Sequence, residues 1–316
     1  METIVQKPKG RRKKPKIIAD SKSYNYRGLR FLMKSRENVQ QMRKQYQQRY
    51  AILNASGVIV SAETGAYETR LDALMAMEAS FDSLIRTEVG THPVAVWAQR
   101  VRGIDALLIA PFISEIGCCG QAKVRAKALS KLKEHDESRW VPFPSRLPQA
   151  PTDTKKLTYW QAIRKLWDED TITILAERHG IECFDTRAAL HAYCGLHVVL
   201  DEATGKMVAP KRKPGQVANW NGYLRTLTWK MSDSWRKCGV GYFRVKYDDW
   251  WPQEKARDPE ITDFHAKNRA RRKCAKLFIS LAWEVWREAE GLPVGDPYPI
   301  AKLGHVSRIY PEDVTE

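Results

Sequence analysis

The chain has 316 residues, with 53 lysines and arginines against 37 acidic residues, a formal net charge of +16 at pH 7. At 43% hydrophobic residues it can bury a sizeable core, yet no apolar run reaches the roughly 18–20 residues of a membrane span. The six cysteines are too dilute for a disulfide scaffold, and no apolar segment follows the basic N-terminus, so a reduced, intracellular protein without a secretory signal is expected.

The distribution of the positive charge matters more than its sum, because a merely soluble surface intersperses its charges. "KPKGRRKKPK" places seven basic residues between Lys7 and Lys16, Lys13 and Lys14 among them. Residues 1–25 form a disordered basic tail by composition. Residues 26–95 read as a helical arm. In its first half Val39, Met42 and Tyr46 are spaced three then four, the seam of a coiled coil, with Leu32 and Leu53 in register. "NASG" breaks the pattern at Asn54, and Tyr67, Leu71, Leu74, Met77, Phe81 and Leu84 resume it. Two such helices make an antiparallel hairpin or a dimerising arm. A homo-oligomer through residues 30–90 is expected.

"GIDALLIAPFISEIG", Gly103 to Gly117, is nearly uncharged in a very basic chain. Ile104, Leu107, Leu108 and Phe112 recur at helical spacing, and Pro111 interrupts them. Two short helical pieces hinged near Pro111 and bounded by glycine turns are expected. Residues 118–181 read as an insertion, Pro-rich from Trp140 to Pro151 and amphipathic from Tyr159. "FDTRAALHAYCGL" is a short helix, N-capped at Asp185 and closed by Gly195. "ATGKMVAPKRKPGQ" is a basic loop carrying Lys206, Lys211, Arg212 and Lys213. Strand-like alternation is confined to pieces such as "HVVL" and "YFRVKY". The last long helix runs from about His265 to Glu290. Cys274, Leu277, Phe278, Leu281 and Val285 form its apolar stripe, and "KNRARRKCAK" supplies a basic cluster of Lys267, Arg269, Arg271, Arg272, Lys273 and Lys276 on its N-terminal turns. Residues 293–316 are a C-terminal tail. The fold class is mainly α.

Two constellations invite chemistry. His179, Cys183, His191, Cys194 and His197 lie close together, but without the paired CxxC knuckles of a zinc site; small hydrophobic roles for the cysteines are the plainer reading, and no metal is expected. After Asn219 aromatic residues interleave with cations in the manner of a base-stacking surface. For Trp229 and Trp235 a place in the core is preferred. Trp250 and Trp251, beside Asp248 and Asp249, are expected in a docking loop.

Taken in order, these pieces resemble the C-terminal half of the Piv-type insertion-sequence transposases, the bridge-RNA-guided recombinases. The resemblance rests on a coiled-coil arm, the segment ending Glu-Ile-Gly, the short helix ending Gly-Leu, a basic glycine loop, "WNGYLRTLTW" and the final basic-then-apolar helix, covering roughly 200 residues. It implies a helix-hairpin-helix domain in 96–117 and 182–292. That element would approach a phosphodiester backbone through main-chain amides, with Arg102, Gly103, Ile104 and Gly117 belonging to it. A plain helical hairpin in the core is the alternative. Arg225 and the clusters already named would add charge. The family's RuvC-like nuclease domain, with its four metal-binding carboxylates, has no counterpart here. Thr204 stands where the family carries the nucleophilic serine of a Ser-Gly pair.

The resemblance therefore implies a protein that binds DNA, or structured guide RNA with DNA, without recombinase activity of its own. Two alternatives stay open: a recombinase subunit served by a RuvC-like partner in trans, and a packaging protein of a mobile element. No cofactor is expected, and Mg²⁺ only where such a partner supplies the carboxylates. No membrane association is expected, and the setting is the nucleoid, a plasmid or a virus.

Overall fold

A computed structural model describes residues 24–57, 61–119, 180–201, 205–211, 220–304 and 306–315. The basic tail with Lys13 and Lys14, almost all of the insertion, Thr204, Arg212, Lys213 and His179 lie outside the described residues. Within them the protein is mainly α, as the periodicity predicts.

Two long helices, α1 (Tyr26–Ala55) and α2 (Ser61–Val89), form the arm and pack against each other. They run antiparallel: Arg43 pairs with Glu78 at 2.7 Å, Arg36 pairs with Asp82, and the Tyr24 hydroxyl donates to the Glu88 carbonyl at 2.8 Å. The seam is thus filled within one chain. Val39 is buried and Tyr46 meets Tyr67 at 5.6 Å, whereas Met42 points outward, 56% exposed.

The short helix α3 (Pro93–Ala98) is followed by a turn and then α4 (Ala106–Gly117). Here the structure corrects the sequence reading. The chain turns at residues 101–103, with Gly103 in the turn as expected, but it does not hinge at Pro111, and α4 is one helix with Pro111 inside it. A proline in a helix interior forfeits one backbone hydrogen bond. Packing outweighs that loss, because Ile109, Ala110, Phe112, Ile113 and Ile116 are all fully buried, each large side chain worth about 1.5–3 kcal/mol. A helix apolar nearly all round is a core helix. The nearly uncharged segment is the centre of the fold, where it touches α1, α2 and α3.

Around α4 lie a 3₁₀ turn (Gly180–Cys183), α5 (Arg187–Tyr193), α6 (Gly222–Cys238), α7 (Tyr242–Arg257) and α8 (Asp263–Ala289). α5 is capped by Thr186, whose side chain accepts from Ala189 N–H at 3.1 Å, one residue beyond the expected Asp185. The alternating "YFRVKY" is helical rather than extended, since Phe243 and Tyr247, one turn apart, are its buried residues. Trp250 and Trp251 also belong to α7, not to a loop. α8 is the spine, with Cys274, Phe278, Ile279, Ala282 and Trp286 buried along it. Trp235 stacks on Phe243 at 4.4 Å, and Phe278 reaches Trp97 at 5.1 Å. Two three-residue strands, β1 (Val199–Asp201) and β2 (Lys206–Val208), pair as an antiparallel hairpin in which Asp201 faces Lys206. A last short helix, α9 (Tyr298–Leu303), and a 3₁₀ turn at Pro311–Val314 complete the described chain. No described helix is long and apolar enough to cross a membrane.

Candidate nucleic-acid interface

The basic cluster of α8 begins after the Thr262 cap, and the helical pitch sorts its charges onto three faces. Arg269 and Lys273, one turn apart, turn toward α7. Lys273 pairs with the buried Glu254, and Arg269 reaches Asp258 at 3.0 Å and Glu254 at 3.8 Å. Lys267 and Arg271 lie over tryptophans, at 5.0 Å from the Trp251 ring centre and 3.5 Å from that of Trp229. Arg271 is only 8% exposed and donates to Asp233 at 2.8 Å. These four cations are engaged within the protein.

Arg272 and Lys276 occupy the third face and differ in kind. Both are half-buried. Burial lowers the pKa of the Arg272 guanidinium, and Arg225 and Arg269 lower it further. Lys276 is lowered by burial and then by Arg272. Arg225, from α6, is lowered by burial; it donates to the Pro210 carbonyl at 2.7 Å and lies 5.2 Å from the Trp220 ring centre. Among the described residues no carboxylate pairs with Arg225, Arg272 or Lys276. His197 stands in the same field, lowered by burial first and then by Arg225, Lys276 and Arg272. His191 places Nε2 at 3.0 Å from both the Lys276 carbonyl and Ser280 Oγ.

One glycine makes this corner possible. Gly195 has φ +68°, and a Cβ there would fall 2.6 Å from Trp220 Cδ1 and 3.1 Å from Arg225 Cδ. Only glycine lets the chain turn this way with the indole lying against it. Nearby, Lys211 is exposed, and Lys206 lies on β2.

The turn before α4 is built differently. Arg102 is exposed, but Ile104 and Gly117 are buried. Gly103 has φ +87°, its carbonyl accepts from Ser234 Oγ at 2.6 Å, and a Cβ would meet Cys238 Sγ at 2.9 Å. A Cβ at Gly117 would lie 2.0 Å from the Tyr26 ring. The Asp105 carboxylate already caps α4, accepting from Leu108 N–H at 2.9 Å. These small residues serve packing against α1 and α6, and a carboxylate holds the place that a phosphate would take.

Cys183 and Cys194 are buried in the core, burial pushes the Cys194 thiol well up, and His191 is satisfied by α8. Among the described residues no three His, Cys, Asp or Glu side chains gather as ligands. One residue was misjudged from sequence. Trp229 is 44% exposed rather than in the core, while Trp235 is buried as expected. Lys276, the last cation of "KNRARRKCAK", shares the open cationic face with Arg272, one turn before it. Compared with known proteins, the chain matches no family model, no curated protein and no solved structure.

Proposed function

We propose that the protein binds nucleic acid, DNA foremost, by gripping the phosphodiester backbone at the Arg225–Arg272–Lys276 group. The observation that carries this reading is that, among the described residues, no carboxylate pairs with three clustered, half-buried cations, Arg225 on α6 and Arg272 and Lys276 on α8, while the other cations of the α8 basic cluster have partners. Removing cations from water beside one another costs free energy that an intramolecular acid or an external anion recovers. Phosphate oxygens fit that need, and the net charge of +16 supports a polyanionic partner. The order of sequence motifs favours descent from an insertion-sequence transposase, without recombinase activity of its own; a subunit served by a RuvC-like partner in trans is the alternative.

Fluorescence anisotropy with duplex DNA across a salt series tests the reading. The joint substitution Arg272→Ala and Lys276→Ala should weaken binding and reduce the slope of log affinity against log salt by about two. An unchanged slope in a variant with wild-type circular dichroism overturns it.

A further inference from the structure

We propose that Trp229 and the Arg225–Arg272–Lys276 group together take an unpaired nucleic-acid strand, with a base stacked on the indole and the flanking phosphates on the cations. The proposal rests on the nucleic-acid reading above and narrows it to a strand class.

Among the described tryptophans Trp229 is the exposed one; Trp220, Trp250 and Trp251 are half-buried. Trp235, Trp283 and Trp286 are fully buried, whereas Trp229 keeps 44% of its surface in water. Its ring is nonetheless braced. The Arg271 guanidinium lies 3.5 Å from the ring centre and is itself fixed by Asp233 at 2.8 Å. A braced, exposed indole loses little freedom when a second ring stacks on it, which is what a base-stacking platform requires.

The platform lies beside the open cations. Arg225 is one helical turn before Trp229 on α6, so the two share a face. Arg272 follows Arg271 directly on α8, and α6 packs against α8. The acids near the indole are engaged: Asp233 pairs with Arg271, Arg236 and Lys237. A strand crossing this surface meets a π face and three cations, with no free carboxylate between them among the described residues. In a duplex the bases stack on each other, so only an unpaired strand can offer a base to the indole.

The test uses the full chain and three labelled probes: a short oligodeoxythymidine, an abasic strand of the same length and charge, and a duplex. Wild-type protein should prefer the base-bearing strand to the abasic strand by about tenfold. Trp229→Ala should erase that preference and leave duplex and abasic binding unchanged. Trp229→Phe should keep most of it. The joint Arg272→Ala and Lys276→Ala variant should weaken binding to all three probes. Equal wild-type affinity for the abasic and base-bearing strands, or a preference that survives Trp229→Ala, overturns the proposal and leaves backbone binding intact. If no probe binds, the nucleic-acid reading fails and this one with it.

Discussion

Gly117 and Tyr26 occupy the same space: the tyrosine ring lies where a Cβ on residue 117 would be, with Cδ1 only 2.0 Å from that position. The ring also stands 5.9 Å from Trp286, so it joins the start of α1 to both α4 and α8. Gly117→Ala should therefore destabilise the fold by about 1–3 kcal/mol through overpacking, visible as a lower thermal midpoint. Nucleic-acid affinity of the folded fraction should stay at the wild-type value. Affinity lost at an unchanged midpoint would return this glycine to the nucleic-acid surface.

Asp233 holds Arg271 against Trp229. Removing the acid leaves a largely buried guanidinium without its partner, a loss of about 1–3 kcal/mol. Asp233→Ala should show this in denaturant unfolding. The double variant with Arg271→Met should cost less than the sum of the single changes, because the unpaired charge is gone. Additive losses would mean that the two side chains do not stabilise each other.

Two histidines, His92 buried and His191 half-buried, set a pH dependence. Burial pushes His92 down to about 3 and His191 down to about 4, both from 6.5. His92 Nδ1 accepts from Val94 N–H at 3.3 Å, a bond that only the unprotonated nitrogen can accept. Below 6.5 the unfolded chain binds protons that the folded chain refuses. Stability is therefore full above that pH and falls as pH drops, by about 1.4 kcal/mol per pH unit for each histidine. Unfolding free energies from pH 7 to pH 4.5 should follow that steep loss. His92→Phe should remove about half of the slope, and a wild-type profile flat across this range would refute the assignment.

The arm leaves Phe31, Met42 and Ile52 exposed at 69%, 56% and 67%. Self-association through α1 is expected to use this outward side, since the inward side is spent on α2. Sedimentation should show an oligomer for the wild type and a monomer for Met42→Glu, with helicity unchanged. Monomeric wild-type protein would rule the association out.

The helices were legible because their apolar positions recur at helical spacing, as in Tyr67 through Leu84 or Cys274 through Leu281. "NASG" marked the arm's turn for a local reason, breaking the repeat itself. Pro111 misled because its cost is local whereas the burial that overrides it comes from α1, α2 and α3. "YFRVKY" misled because six alternating residues fit a strand, and only the packing of Phe243 and Tyr247 against Trp235 and α8 decides for helix. In the interface, composition gave the cations but not their partners. Glu254, Asp258 and Asp233 are up to 38 residues from the charges they pair with, and no spacing rule reaches across that interval. Arg225, Arg272 and Lys276 could be told from their neighbours only once those pairings were known.

The Trp97 indole donates to the carbonyl of Pro311 at 2.9 Å across 214 positions of sequence, Arg100 meets Thr315 at 3.1 Å, and Val314 is buried. At the other end, Tyr26 rests on Trp286. During synthesis, the helices made first must therefore wait with Trp97 uncovered until α8 and then the Pro311 turn have left the ribosome. Long-range closure of this kind slows folding and exposes apolar surface on the way. For this protein the vulnerable period belongs to the nascent chain, and a ribosome stalled before Pro311 would hold a core with one side open.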